Sequence, residues 1–211
     1  MLVKNRMTLN PYTVTPETSI NEAYSLMKDH SVSRLPVMKG GKLVGLVTKS
    51  GIERVTPSSA TALSVFELNY LLNKMTVKDA MITDPPTIAD DDLVENAAVL
   101  MRDKNITALP VLRDGRLVGI ITEKDIFDAF IEMLGVRNSG ARLVVRMPNE
   151  PGAAADVITI ISKYEINIQH MALNNGRDGA EIIFRLDTDD ASDIKRAIAA
   201  KGYEIVTEES N

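Results

Sequence analysis

The chain has 211 residues, 45% hydrophobic and 25% charged, the balance of a globular protein sized for one large domain or two small ones. With no cysteine, disulfides and thiolate metal sites are excluded, and with only two histidines, His30 and His170, a multi-histidine metal centre is hard to build. A net charge of -5 and 4% aromatic residues argue against nucleic acid as a partner. The chain also lacks a signal-peptide-like start and the ~20-residue apolar run of a membrane span, which predicts a cytoplasmic protein with no membrane partner.

Residues 2–52 align with residues 76–126 at a constant offset of 74, and 18 of the 51 positions are identical. Ordinary residue frequencies would give roughly three or four matches, so the chain carries two copies of one unit. Each copy is predicted to run strand, helix, strand, strand, helix. The first helix has an apolar stripe at Ile20, Ala23, Tyr24 and Met27, repeated as Val94, Ala97, Ala98 and Met101. Ser19 with Glu22, and Asp92 with Glu95, have capping-box spacing at the helix starts. A hairpin follows in each copy, its apolar runs at residues 35–38 and 43–47, then 109–112 and 117–121, joined by Gly-containing turns. Thr48 and Thr122 stand where the last strand gives way to a helix. Between the copies, residues 54–75 are expected to hold an exposed loop at Pro57 and a helix over residues 65–74. After the second copy a helix runs over residues 125–134, and Gly135 to Gly140 reads as a stop and linker.

From Ala141 the pattern changes. A strand over residues 142–147 leads through a turn at Pro148 to Gly152 into a helix with Ala154, Val157, Ile158, Ile161 and Tyr164 on one face. Two strands, residues 166–172 and 180–186, flank a turn beginning at Asn174. A helix over residues 191–201 stops at Gly202, and a last strand covers residues 203–206. The order βαββαβ is that of a ferredoxin-like sandwich. An α+β protein is therefore expected, with a doubled βαββα domain over residues 1–135 and a second domain over residues 141–211. Most of the negative charge falls in the second domain: residues 139–211 hold 8 basic and 12 acidic residues, leaving 16 and 17 for residues 1–138.

The doubled Leu-Pro-Val hairpin and the ending Gly119-Ile120-Ile121-Thr122-Glu123-Lys124-Asp125 resemble a pair of cystathionine β-synthase (CBS) domains over residues 2–130. The resemblance implies an intramolecular sandwich with two clefts that bind adenine nucleotides. In the second copy Thr122 can donate to a phosphate or sugar oxygen at a helix start, and Asp125 is an acceptor-only carboxylate suited to a ribose diol. The same spacing also fits an N-cap at Thr122 and an acid favoured by the helix terminus. The resemblance lays the adenine ring against Ile82, Thr83, Thr107, Ala108 and Pro110, and offers Arg34 a phosphate, with a solvated surface arginine as the alternative. The first copy has Gly51 in place of Asp125, so its cleft is expected to bind a nucleoside weakly, and Gly51→Asp is expected to restore binding.

The Asn149-Glu150-Pro151-Gly152 turn, with Ile166-Asn167-Ile168 after the helix, resembles an ACT domain over residues 141–207. This implies side-by-side pairing of copies and contacts from Asn149, Gly152 and Asn167 to an amino acid or other small ligand, or a purely dimerising role. The order CBS, CBS, ACT resembles the acetoin-utilisation protein B family. These readings predict a non-enzymatic regulatory sensor that binds AMP, ADP, ATP or another adenosine compound, requires no cofactor or metal, and acts as a homodimer on a regulated protein partner. The alternative is an amino-acid or other small-effector sensor working through the ACT domain, with the CBS pair mainly structural. No activated nucleophile or acid–base pair is recognisable.

Overall fold

The structure, a computed structural model, describes residues 1–56, 74–176 and 179–209. The loop expected at Pro57 lies outside the described residues, as does the linker helix except for Lys74. The chain divides into two compact units, Met1–Phe127 and Asp128–Asn211.

In the first unit both copies fold alike. The first contributes β1 (Thr8–Leu9), α1 (Ile20–Asp29), β2 (Arg34–Lys39), β3 (Lys42–Thr48) and α2 (Lys49–Val55). The second contributes β4 (Ile82–Thr83), β5 (Ile88–Ala89), α3 (Val94–Lys104), β6 (Ala108–Arg113), β7 (Arg116–Thr122) and α4 (Glu123–Met133), in which the division between units falls. The repeat reaches the backbone: left-handed residues recur at Asn10 and Asp84, with φ 48° and 47°, and at Ser31 and Asn105, with φ 54° and 51°.

α1 buries Ile20, Ala23 and Met27 against Leu35, Val37 and Val47 of the hairpin, and Ile52 of α2 closes this core. Three such positions per helix define one buried stripe, and the fourth expected position, Tyr24, is exposed at its edge. Ser19 caps α1, its Oγ accepting from the Glu22 amide at 3.1 Å. The cap expected at Asp92 is displaced: Leu93 is the N-cap of α3, and Asp92 Oδ1 instead accepts from the Leu93 amide and Asn96 Nδ2, each at 2.7 Å.

The copies do not each form a closed sheet. β1 of the first copy pairs antiparallel with β7 of the second, in a sheet ordered β1-β7-β6-β5, and β4 of the second pairs with β3 of the first, in a sheet ordered β2-β3-β4. The repeated glycines explain how these exchanged strands approach. A Cβ on Gly119 would stand 2.5 Å from Met7 Sδ and 2.9 Å from the Thr8 carbonyl oxygen; on Gly45 it would stand 2.6 Å from Met81 Sδ and 3.1 Å from the Ile82 oxygen. Leu46, Ala108 and Ile120 form a small core cluster drawn from both copies.

One ion pair belongs to the second copy alone. Buried Asp90 accepts from Arg113 Nε at 2.8 Å, and this hydrogen bond holds the carboxyl below the usual aspartate range while raising the guanidinium. The first copy has Pro16 and Lys39 at these positions, and Lys39 makes an exposed 3.4 Å pair with Glu17.

The second unit contains β8 (Arg142–Met147), α5 (Ala153–Ser162), β9 (Ile168–Gly176), β10 (Gly179–Leu186), α6 (Ser192–Ala200) and β11 (Glu204–Glu209). Its antiparallel sheet, ordered β11-β8-β10-β9, is that of the expected βαββαβ sandwich. Alternate sheet residues Leu143, Val145, Ile182 and Phe184 pack with Val157, Ile161, Ile194 and Ile198 of the helices. Arg146 bridges Glu181 and Glu204 on the neighbouring strands, at 2.9 Å each.

Candidate functional site

The strand exchange decides which residues share a cleft. Two clefts of the first unit are walled by both copies. The larger, about 500 Å³, is lined by Thr122 and Lys124 from the end of the second copy and by Thr8, Asn10, Pro11, Tyr12, Ser33 and Arg34, among others, from the first. The smaller, about 210 Å³, is lined by Thr48, Ser50 and Arg54 of the first copy and by Ile82, Pro85, Pro86, Thr107 and Ala108, among others, of the second. Ligand pockets usually occupy about 300–1,000 Å³, a range that only the larger reaches.

The site expected from the sequence is therefore divided. Thr122 lies in the larger cleft, whereas Ile82, Thr107 and Ala108 lie in the smaller. Thr83 pairs with Gly45 and Pro110 is buried opposite Ile120, and neither is among the residues lining either cleft. The physical reason is the crossing of β1 and β4, which gives the Thr122 helix start the opening segment of the other copy. Asn10, Pro11, Tyr12 and Ser33 are the lining residues that repeat reasoning left out. They are the first-copy equivalents of Asp84, Pro85, Pro86 and Thr107, so the offset of 74 marks them once the exchange is known.

At the start of α4 the local chemistry is a capping box. Asp125 Oδ2 accepts from both the Thr122 amide and Thr122 Oγ1 at 2.7 Å, so the residue three positions into the turn satisfies an otherwise orphan donor. Both residues thus do the structural work that their spacing allowed. Asp125 is half-buried and bonded to Thr122, it is not among the residues lining either cleft, and its Oδ1 makes no hydrogen bond among the described residues. Thr122 presents its hydroxyl in the larger cleft, with Lys124 and Arg34 as the cations there.

The smaller cleft lacks this carboxylate for a steric reason. A Cβ on Gly51 would stand 2.9 Å from the Ala80 carbonyl oxygen and 3.1 Å from Thr48 Oγ1, so α2 lies too close to the neighbouring backbone for any side chain. The expectation that Gly51→Asp restores a ribose site is corrected accordingly. Thr48 caps α2, accepting from the Gly51 amide at 3.0 Å.

Arg34 lines both clefts. Its Nε and Nη2 donate to Thr107 Oγ1, the former at 3.1 Å, and Nη1 donates to Ser33 Oγ at 2.8 Å. His30, the C-cap of α1, stacks on Tyr12 with ring centroids 3.8 Å apart, which steadies that wall of the larger cleft.

In the second unit Asn149, Gly152 and Asn167 are all exposed. β10 runs antiparallel to both β8 and β9, so β8 and β9 point the same way. Asn149 follows β8 and Asn167 precedes β9, which puts them at opposite ends of the sheet; one copy does not bring the three together. His170 is packed against Gly135, with Nδ1 3.1 Å from the Met133 carbonyl oxygen and Nε2 2.9 Å from Asn138 Nδ2. No helix among the described residues is long and apolar enough to cross a membrane.

Comparison with known proteins agrees with this architecture. The CBS domain model matches residues 3–56 and 77–132, and the ACT domain model matches residues 141–201. An inosine-5′-monophosphate dehydrogenase of Korarchaeum cryptofilum is 34% identical over 134 residues, 63% of this chain but only 25% of that protein, so the likeness covers a quarter of the enzyme's length. A CBS domain-containing protein of Dictyostelium discoideum is 33% identical over 64% of this chain and 94% of its own. Among solved structures, the CBS domain pair of protein MJ0100 in complex with 5′-methylthioadenosine and S-adenosyl-L-methionine is 31% identical, with a TM-score of 0.51 over 62% of this chain and 95% of that one. CBSX2 of Arabidopsis thaliana in complex with AMP is 29% identical, with a TM-score of 0.53 over 62% and 97%. A putative acetoin utilization protein of Vibrio cholerae is 26% identical, with a TM-score of 0.53 over 65% and 95%. With a doubled fold, exchanged strands and family matches over more than half its length, the chain belongs to the CBS domain family, as a tandem CBS pair followed by an ACT domain.

Proposed function

We propose that the protein is a regulatory sensor without chemistry of its own, whose larger CBS cleft binds an adenine nucleotide or related adenosine compound. The observation that carries this reading is the cleft of about 500 Å³ at Thr122, where a hydroxyl at a helix start and Lys124, both of the second copy, face a first-copy wall that carries a second cation, Arg34. The adenosine ligands of MJ0100 and the AMP of CBSX2 support the ligand class. In this reading a phosphate meets Lys124 and Arg34, while Thr122 Oγ1, whose proton goes to Asp125 Oδ2, and Asp125 Oδ1, the oxygen that the cap leaves over, accept from the ribose diol.

Asp125→Ala alone would mix two effects, because Asp125 also caps α4. Asp125→Asn separates them: its carbonyl oxygen can still accept from Thr122, while its amide group cannot accept from a diol. In calorimetric titrations with AMP and S-adenosylmethionine, both variants are expected to bind about tenfold or more weakly than wild type, since hydrogen bonds to a charged partner each contribute about 1.5–3 kcal/mol. Only Asp125→Ala should also lose the cap, by about 0.5–2 kcal/mol in chemical denaturation. Wild-type affinity in both variants would remove Asp125 from the site.

The ACT domain is proposed to join two copies along β9. β9 is an edge strand with Met171 and Leu173 half-exposed, and antiparallel pairing of two such edges would carry one copy's Asn167 toward the other's Asn149 and Gly152. A second ligand, an amino acid or similar effector, fits that shared position. Binding of amino acids in place of adenosine compounds would make the ACT domain the sensing unit.

A further inference from the structure

Arg34 is the only lining residue that the two clefts share among the described residues. Its guanidinium divides between them: Ser33, which takes Nη1, lines the larger cleft, and Thr107, which takes Nε and Nη2, lines the smaller. Ser33 and Thr107 are repeat-related at the offset of 74, so the guanidinium bridges the place where the two copies meet. The position related to Arg34 is Ala108, buried in the cluster with Leu46 and Ile120, so the repeat supplies no counterpart of this arginine where the copies meet.

We infer that Arg34 couples the two clefts antagonistically, with Thr107 of the smaller cleft restraining the arginine that the larger cleft needs for a phosphate. This rests on the nucleotide reading of the larger cleft and adds a regulatory term to it. A hydroxyl is a neutral acceptor, whereas a phosphate offers the planar fork two charged oxygens in bidentate geometry, which is the stronger contact. A phosphorylated ligand in the larger cleft draws the fork off Thr107, and the smaller cleft is left with Arg54 as its cation. Conversely, an anion seated by Thr107 and Arg54 holds Arg34 on its own side and weakens phosphate binding in the larger cleft. Reciprocity is required by linkage, whichever site fills first.

The consequence is testable at a residue that does not line the larger cleft. Thr107→Val keeps shape and β-propensity but removes the oxygen that detains Arg34. Titration calorimetry of the full chain with AMP and with adenosine gives, for each variant, the ratio of the two affinities, which isolates the phosphate contribution. The ratio is expected to rise at least about threefold in Thr107→Val and to fall about tenfold in Arg34→Ala, within the range of measured coupling factors. In the double variant the Thr107→Val gain disappears, as a double-mutant cycle demands of a residue acting through another. An unchanged ratio in Thr107→Val overturns the coupling. A fallen ratio also overturns it, because it would seat the phosphate on Thr107 itself. Absence of AMP binding by the wild type overturns the nucleotide reading, and the coupling with it.

Discussion

The two clefts are built from the same repeated unit, yet they differ at nearly every chemically active position. Where the larger is lined by Lys124 and Tyr12, the smaller has Ser50 and Pro86, and behind the lining threonines Thr122 and Thr48 stand Asp125 and Gly51. Part of this divergence is backbone spacing rather than side-chain choice. The gap between α2 and the Ala80 carbonyl admits only hydrogen at position 51, so the smaller cleft could not keep a carboxylate without moving a helix. Each cleft draws one wall from each copy, yet the two lining sets overlap only at Arg34. The two sites of this duplicated fold can therefore diverge independently everywhere except at that residue.

The comparison breaks most readily at the repeated glycines. Gly119→Ala and Gly45→Ala should each destabilise the protein by about 1–3 kcal/mol in urea denaturation, because the new methyl meets a methionine sulfur and a strand carbonyl on the crossing strand. Their functional effects should separate: Gly119→Ala displaces β1 and weakens AMP binding, while Gly45→Ala displaces β4 at the other cleft and weakens AMP less. Equal losses of affinity would mean that the nucleotide does not distinguish the clefts. A smaller effect is expected from Lys124→Ser, which gives the larger cleft the residue of the smaller. AMP affinity should fall up to about fivefold, the reach of an exposed charge contact of about 0.2–1 kcal/mol, and its dependence on salt should flatten. An affinity that keeps its full salt dependence would take Lys124 out of phosphate binding.

The smallest effect concerns the ion pair found in the second copy alone. Arg113 lowers the Asp90 carboxyl in the folded protein, so this contribution is present above the unfolded aspartate range and is lost as pH falls through the lower, folded value. Asp90→Asn should therefore melt below wild type at pH 7, and the gap should narrow below about pH 4. A gap that stays constant down to pH 2 would show the pair to be electrostatically idle. The exposed Glu17–Lys39 pair of the first copy serves as the internal control, with little change expected on its removal.

The elements were legible because long-period features carry them. The helical stripes of α1 and α3, the Leu-Pro-Val hairpins and the βαββαβ order follow from periodicity and the offset of 74. Cleft membership was not legible, because β1 and β4 are two residues long and have no period from which a partner can be read. Whether such a strand joins its own hairpin or the other copy's depends on tertiary packing, and the paired choices Gly45 with Met81 and Gly119 with Met7 record it only after the exchange is known. Asp125 was legible as a cap, since Thr-x-x-Asp is a capping-box signature. The structure assigns Oδ2 to the cap.

The crossing of β1 onto β7 also orders events in time. As the chain emerges during synthesis, β4 finds β3 already made, whereas β1 must wait until the whole second hairpin has followed it. The smaller cleft, lined by no residue beyond Ala108, thus has its whole lining synthesised while the larger still waits for Thr122 and Lys124.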